Sequence, residues 1–274
     1  MARARRLLGT RKVGHAGTLD PMATGVLLLG VGRATRLLGQ LALTDKAYDA
    51  TVRLGVGTLT DDAEGEVTAR PGAGGLDDDA LAGALAALRG PISQVPTAVS
   101  AIKVDGVRAY AKVRAGEEVA LAARPVTVHR LDVLARRDLV DDGVAVVDLD
   151  LSVECTTGTY VRALARDLGA SLGTAGHLTA LRRTRVGPFS LAEAVVLPQT
   201  DGAAPPLMAM GEVARRCFPV VELDAQQAAD VRVGRRLADL AVPRLTALLD
   251  ADGDLLALYR PDGSGARPEA VFVG

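Results

Sequence analysis

The sequence is poor in the residues that usually announce a chemistry. It has two cysteines, Cys155 and Cys217, which make neither a disulfide framework nor a zinc cluster, and a cytoplasmic protein is the expectation. Its three histidines, His15, His129 and His177, are scattered, and no HExxH or CxxC run occurs, so no metal is expected. Tryptophan is absent and aromatics make up 3% of the chain, so any tyrosine available for stacking is scarce. The apolar runs fall short of a membrane span, and no membrane association is expected. The N-terminus is basic but lacks the apolar segment and cleavage site of a secretory signal. Only four of the 32 bases are lysine, which we read as codon usage rather than physics.

Other familiar signatures are missing too. In "GVGRAT", Thr35 stands where a dinucleotide fingerprint needs its third glycine or alanine, and no glycine loop runs into a Lys-Ser/Thr pair. There is no GxSxG elbow. "DDAEGE" (61–66) lacks the spacing and length of a calcium loop. By elimination, the chemistry expected is that of a carboxylate working without a cofactor.

The composition that is present fits a globular protein of 274 residues, 49% hydrophobic and 24% charged, with room for one large domain and a small one. Net charge is −1, but its distribution is uneven. Residues 1–40 carry seven bases and a single acid, Asp20, whereas residues 61–79 carry seven acids and one base. Either these are solvated faces of both signs, or the basic one meets a polyanion.

Several segments have a readable period. "YDATVRLGV" alternates, with Tyr48, Ala50, Val52 and Leu54 on one face of a half-buried strand. "DDDALAGALAALRG" begins with aspartate caps and places Leu81, Leu85 and Leu88 on one helical stripe. Asp105-Gly106, between apolar residues, predicts a hairpin turn. "VDLDLSVEC" alternates from Val147 to Cys155. A Thr-Thr-Gly turn then leads into a helix carrying Val161, Leu164, Ala165, Leu168 and Leu172 on one side. "QTDGAAPPLMAMG", rich in Pro, Gly and Ala, reads as a loose connection, and a helix with short strands is expected after it. Strands and helices mix without βαβ alternation, so the fold class expected is α+β.

The richest stretch is "KVGHAGTLDPMATGVLLLG", where Asp20 sits among glycines with Pro21 behind it. Taken alone, an Asp-Pro is a turn initiator. However, "GHAGTLDPMATGVLLLGVGRATRLL" closely resembles the signature of the bacterial TruB family, the tRNA pseudouridine-55 synthases. Three further blocks resemble the same family in order: "DKAYDATVRLGVGTLTDDAEGEV", "VPTAVSAIKVDGVRAYAKVRAGEEV" and "CTTGTYVRALARDLGASLGTAGHLTALRRTRVGPF". The second of these is similar to the family's RNA-gripping thumb. The resemblance implies a pseudouridine synthase fold with a mixed, mainly antiparallel sheet and flanking helices over residues 1–198. It further implies a connection over 199–217 and a small PUA-like RNA-binding domain over 218–274. Family members also carry an earlier strand and a Lys-Pro-x-Gly-x-Thr-Ser turn that this sequence lacks, which implies an N-terminally shortened form.

Roles follow from the resemblance, each with a plainer alternative. Asp20 is the catalytic carboxylate. Arg162 keeps that carboxylate anionic; otherwise it is a surface arginine on an amphipathic helix. Tyr48 stacks on the target base and receives the C5 proton; otherwise it is a core tyrosine. Tyr160 is a second active-site tyrosine and Leu181 an apolar wall under the ring. Lys46 belongs to substrate binding, and His15 enters the gap left by the flipped base. Arg182, Arg183 and Arg185 are phosphate candidates, or equally a solvated cluster. The implied reaction isomerises a uridine in the tRNA T stem-loop, flipped out of its fold, with no cofactor. The expected enzyme is a monomer that needs no protein partner. The alternatives are a T-loop binder or folding helper that has lost catalysis, and a relative of the guide-RNA-dependent synthases.

Overall fold

The computed structural model describes residues 1–97, 103–104, 107–108, 121–197 and 203–273. The chain forms two compact units that interleave along the sequence: Leu19–Val26 with Leu43–Ala192, and Met1–Thr18, Leu27–Ala42 and Glu193–Gly274. The boundaries expected near residues 198 and 218 instead divide the chain along its length.

The first of these units is built on a seven-stranded sheet. Its strands run in the order Phe189–Ser190, Gly176–Val186, Lys46–Leu54, Val144–Cys155, Arg124–Asp141, Gly90–Gln94, each antiparallel to the next. The short strand Thr24–Gly25 pairs in parallel with Gly176–Val186. The alternation read in the sequence is the alternation of burial. Tyr48, Ala50, Val52 and Leu54, with Val147, Leu149, Leu151, Val153 and Cys155, form one core face. On the other face Arg53 crosses to Asp148 with two hydrogen bonds of 2.8 and 3.0 Å, and Thr51 donates to Asp150.

Two helices cover the core face. Asp78–Ala87 is capped by the Asp77 carboxylate, which accepts from the Ala80 amide at 2.8 Å, and buries Leu81 and Leu85. Val161–Ser171 follows the turn after Cys155 and buries Val161, Leu164, Ala165 and Leu168. This helix lies unusually close to the sheet. A Cβ on Gly176 would stand 2.3 Å from the Ala165 carbonyl oxygen, and one on Gly169 would stand 2.3 Å from the Ala175 carbonyl carbon. Two missing side chains thus fix the seat of the helix, and with it the residues on its first turn.

Strand Arg124–Asp141 turns into Val144–Cys155 through Asp142 and Gly143, both at positive φ (51° and 79°), as a two-residue hairpin requires. The expected hairpin at 103–108 has its flanks paired, Lys103 with Arg108 and Val104 with Val107. Its turn, Asp105-Gly106, lies outside the described residues, as does most of the thumb-like block.

In the other unit, Val13–Ala16 and Leu28–Val31 pair as an antiparallel hairpin. The Arg36 guanidinium donates to the Val271 carbonyl at 2.8 Å, tying this segment to the C-terminal strand. A four-stranded sheet, Val220–Glu222, Thr246–Leu249, Leu255–Asp262 and Gly265–Val271, packs with helix Ala225–Arg232 around Leu223, Val231, Leu248, Leu256 and Tyr259. The loose connection expected before it differs in part. Residues 203–209 have no regular structure, but Met210–Cys217 is a helix. An i,i+4 pair between Glu212 and Arg216 and burial of Ala214 hold it.

Candidate active site

Asp20 lies on the segment Leu19–Val26, which a turn and a strand pairing hold in place. Behind Asp20 the Ala23 amide donates to the Asp20 carbonyl at 2.9 Å, closing a turn through Pro21 and Met22. Met22 and Ala23 pack on the core. Thr24 and Gly25 then pair with Arg182 and Arg183, and the Val26 amide donates to the Arg183 carbonyl at 2.8 Å. Gly25 makes this contact possible. Its φ is +99°, and a Cβ there would stand 2.1 Å from the Arg183 carbonyl oxygen.

The carboxylate of Asp20 meets Arg162, the second residue of helix Val161–Ser171. Arg162 Nε donates to Oδ2 at 3.1 Å and Nη2 to Oδ1 at 2.8 Å, a forked pair. The third nitrogen, Nη1, donates to the Thr60 carbonyl at 3.0 Å and lies 3.3 Å from Asp62 Oδ2. Arg162 turns inward with 6% of its side chain exposed, and Asp62 retains 3%, whereas Asp20 keeps 31%. One buried cation is thus shared by two carboxylates, and only Asp20 is open to a substrate. Asp62 was not among the expected site residues. Its signal was present in the acidic run "DDAEGE", but that run looks like a solvated face until the fold buries it.

Tyr48 lies on the core face of strand Lys46–Leu54, 8% exposed, directly opposite Arg183 in the adjacent strand. Burial pushes its phenol up to about 12, opposed by the charge of Arg183 and by a hydrogen bond to that side chain, while Asp20 adds to the rise. Leu181, two residues before Arg183, packs in the same cluster as Tyr48. Tyr160 sits just before the helix. The Gln94 side-chain amide holds its backbone from both sides: the Tyr160 N–H donates to Oε1 at 2.9 Å, and Nε2 donates to the Tyr160 carbonyl at 3.1 Å. Gln94, another residue the sequence reading missed, is buried. The structure therefore brings together Asp20, Tyr48, Arg162 and Leu181, with Tyr160 on the approach to Arg162.

The other expected contacts differ in their surroundings. Arg183 is 2% exposed and its Nε donates to the Val26 carbonyl at 2.8 Å, so its guanidinium does not face a phosphate. Lys46 is 7% exposed, and its ammonium donates to the Thr44 carbonyl. Burial and the neighbouring Arg183 lower its pKa. The reason is strand alternation: Lys46 shares a face with Tyr48, and Arg183 with Leu181. Arg182 points the other way and is exposed, while Arg185 meets Glu154 at 3.4 Å and the Gly187 carbonyl at 3.1 Å. His15 belongs to the other unit, where it is exposed on its hairpin opposite Leu29.

Comparison with known proteins gives the site its context. Residues 5–161 match the TruB family pseudouridylate synthase N-terminal domain. Residues 162–203 match the tRNA pseudouridylate synthase B C-terminal domain, and residues 218–273 the C-terminal domain of tRNA pseudouridine synthase II. The chain is 59% identical over 263 residues to the tRNA pseudouridine synthase B of Cutibacterium acnes, covering 96% of this chain and 88% of that one. It is 58% identical over 273 residues to the protein of the same name from Nocardia farcinica, covering 100% and 87%. Among solved structures, a chain of a Cbf5-Nop10-Gar1 complex superposes with a TM-score of 0.70 at 24% identity, covering 99% of this chain and 80% of that one, which shows a shared fold. With Asp20 in the first of these matched segments and Arg162 opening the second, the chain belongs to the TruB family of pseudouridylate synthases.

Proposed function

We propose that this enzyme converts the T-loop uridine at tRNA position 55 to pseudouridine, with Asp20 as its catalytic carboxylate. The observation that carries the reading is the partly open Asp20 carboxylate, forked onto the buried Arg162 in a chain of this family. The reaction breaks the N-glycosidic bond, turns the base and joins C5 to the ribose C1′. Nothing is oxidised: C5 gives up its proton to solvent as it joins C1′, and N1, freed from the sugar, takes one up. Asp20 attacks the sugar or base, or takes a proton from the sugar, and the forked pair with Arg162 holds it in place for either role. Tyr48 supplies the surface on which the base stacks. A phenol raised to about 12 is neutral at physiological pH, which favours stacking over acceptance of the C5 proton.

The target base has to leave its loop to reach Asp20. RNA of this kind is recognised by shape, stacking and phosphate contacts. Exposed Arg182 is the phosphate contact we retain of the three arginines, His15 enters the gap left by the base, and the C-terminal unit adds RNA contacts. The enzyme acts as a monomer in the cytoplasm without a protein partner. In the described residues no helix is long and apolar enough to cross a membrane.

The test is Asp20→Asn, which keeps the shape and removes the charge. Tritium release from C5-labelled uridine in tRNA should vanish while tRNA still binds. Turnover by Asp20→Asn near the parental rate would refute the mechanism. A parental chain that binds tRNA without releasing tritium would establish the non-catalytic binder instead.

A further inference from the structure

Strand Gly176–Val186 lies between the Asp20 segment and the Tyr48 strand, and both neighbours meet it at one residue. Arg183 is paired with Gly25 on one side and with Tyr48 on the other. Its backbone carbonyl accepts from the Val26 amide, and its Nε donates back to the Val26 carbonyl, both at 2.8 Å. Its side chain is among the largest fully buried ones of the described residues. A guanidinium carries donors on two edges in a rigid plane, so it can hold two acceptors at a fixed separation, which a lysine ammonium cannot.

We propose that Arg183 is a positioning residue that sets the Tyr48 ring against the Asp20 segment, one edge of its guanidinium holding the Val26 carbonyl and the other the Tyr48 hydroxyl. The second link stands on the direct cross-strand pairing of Arg183 with Tyr48, and the Arg183 hydrogen bond that opposes the rise of the Tyr48 phenol agrees with it. Arg183 touches neither the base nor the sugar. It keeps the stacking surface and the carboxylate in register, so that a base resting on one meets the other. The inference rests on the proposed function, in which Asp20 and Tyr48 act on the same uridine.

The experiment uses Arg183→Lys and Arg183→Met in the full chain, each in the parental and the Tyr48→Phe backgrounds. Single-turnover tritium release at saturating tRNA, the tRNA Kd and the melting temperature are measured for each. Arg183→Lys should slow the chemical step on the order of ten- to a hundredfold, as misplacement of reacting groups by about an ångström does, with Kd nearly unchanged. In the Tyr48→Phe background the same substitution should cost much less, because one of its two links is already gone. An activity-independent signal comes from isotope labelling at tyrosine Cζ. The resonance missing in Tyr48→Phe identifies Tyr48, and it should shift in Arg183→Met, or in Arg183→Lys if the Met variant does not fold. Parental rates in Arg183→Lys, multiplicative losses in the double variant, or an unmoved Tyr48 resonance would each overturn the assignment. If the parental chain forms no pseudouridine, the proposed function fails, while the resonance still decides whether Arg183 holds Tyr48.

Discussion

On the proposed role of Asp20, replacing Gly25 with alanine should slow catalysis far more than its distance from that carboxylate suggests. A methyl group there would lie 2.1 Å from the Arg183 carbonyl oxygen and 2.8 Å from its nitrogen. To reach even 3.0 Å from that oxygen, the segment would have to lift by about 0.9 Å. The strand beneath cannot yield, since it is paired along its length with Lys46–Leu54. The φ of +99° adds a backbone penalty of about 1–2 kcal/mol for an L-residue. A displacement of about 1 Å at a catalytic group can lower the rate on the order of a hundredfold, equivalent to about 2.7 kcal/mol of activation free energy. Gly143→Ala is the matched control. That glycine also has positive φ (79°), but a Cβ there meets nothing within 4 Å. Both variants should melt lower, whereas only Gly25→Ala should lose single-turnover tritium release. If Gly25→Ala keeps a rate within about threefold of the parent, or Gly143→Ala loses as much, the close approach does not position Asp20.

Three further outcomes follow from the same geometry. Arg162→Lys keeps the charge but not the fork, and should lower the single-turnover rate on the order of a hundredfold or more, the scale of losing a preorganised donor; an unchanged rate counts against the forked pair. Arg182→Ala should make the log–log dependence of tRNA affinity on salt shallower by about one, and an unchanged slope would return Arg182 to a solvated face. Asp150, hydrogen-bonded by Arg137, has its carboxyl lowered to about 2, below its unfolded value. The stability this gives is present above the unfolded pKa and is lost as pH falls through about 2. On an exposed pair solvent screening keeps it small. Melting curves of Arg137→Met and the parent should therefore differ slightly at neutral pH and converge between about pH 4 and 2; a gap that persists in acid would refute the linkage.

The sequence showed the core where burial follows a simple period. Tyr48, Ala50, Val52 and Leu54 repeat every second residue, and their face is the buried one. The same rule, carried two residues outward, would have buried Lys46, and applied to "LRRTR" it would have separated Arg182 from Arg183. A run of arginines looks basic as a block, but a strand splits it between two faces. Strand Arg124–Asp141 hides for the opposite reason. It is 18 residues long, but irregularities between Val128 and Arg130 and between Val133 and Ala135 break its register. Asp142-Gly143 does mark its hairpin and could have been used. Asp62 could not be singled out from its acidic run. Its link to Arg162 joins residues a hundred positions apart in sequence, and no local pattern distinguishes a carboxylate that will be buried from one that will be solvated. The interleaving of the two units is equally silent, because the cuts at Thr18 and Val26 fall inside the most continuous motif of the chain.

The arginine excess itself takes on a different meaning in the fold. Read along the chain, it offers many cations to a polyanion, against a net charge of −1. In space, many of these cations are already engaged, and in two ways that respond differently to RNA. Arg136 and Arg137 meet Asp138 and Asp150 near the surface of the sheet unit. Such exposed pairs are weak, so a phosphate can take over the arginine at little loss. Arg162 and Arg183 are buried. Removing a partner from a buried, hydrogen-bonded charge costs about 3–5 kcal/mol, so no phosphate competes for them. The surface arginines can therefore contribute to affinity and its salt dependence, while the buried ones are committed to geometry. This division explains how a chain of nearly zero net charge can bind RNA and still hold one carboxylate in place: the two tasks draw on different arginines.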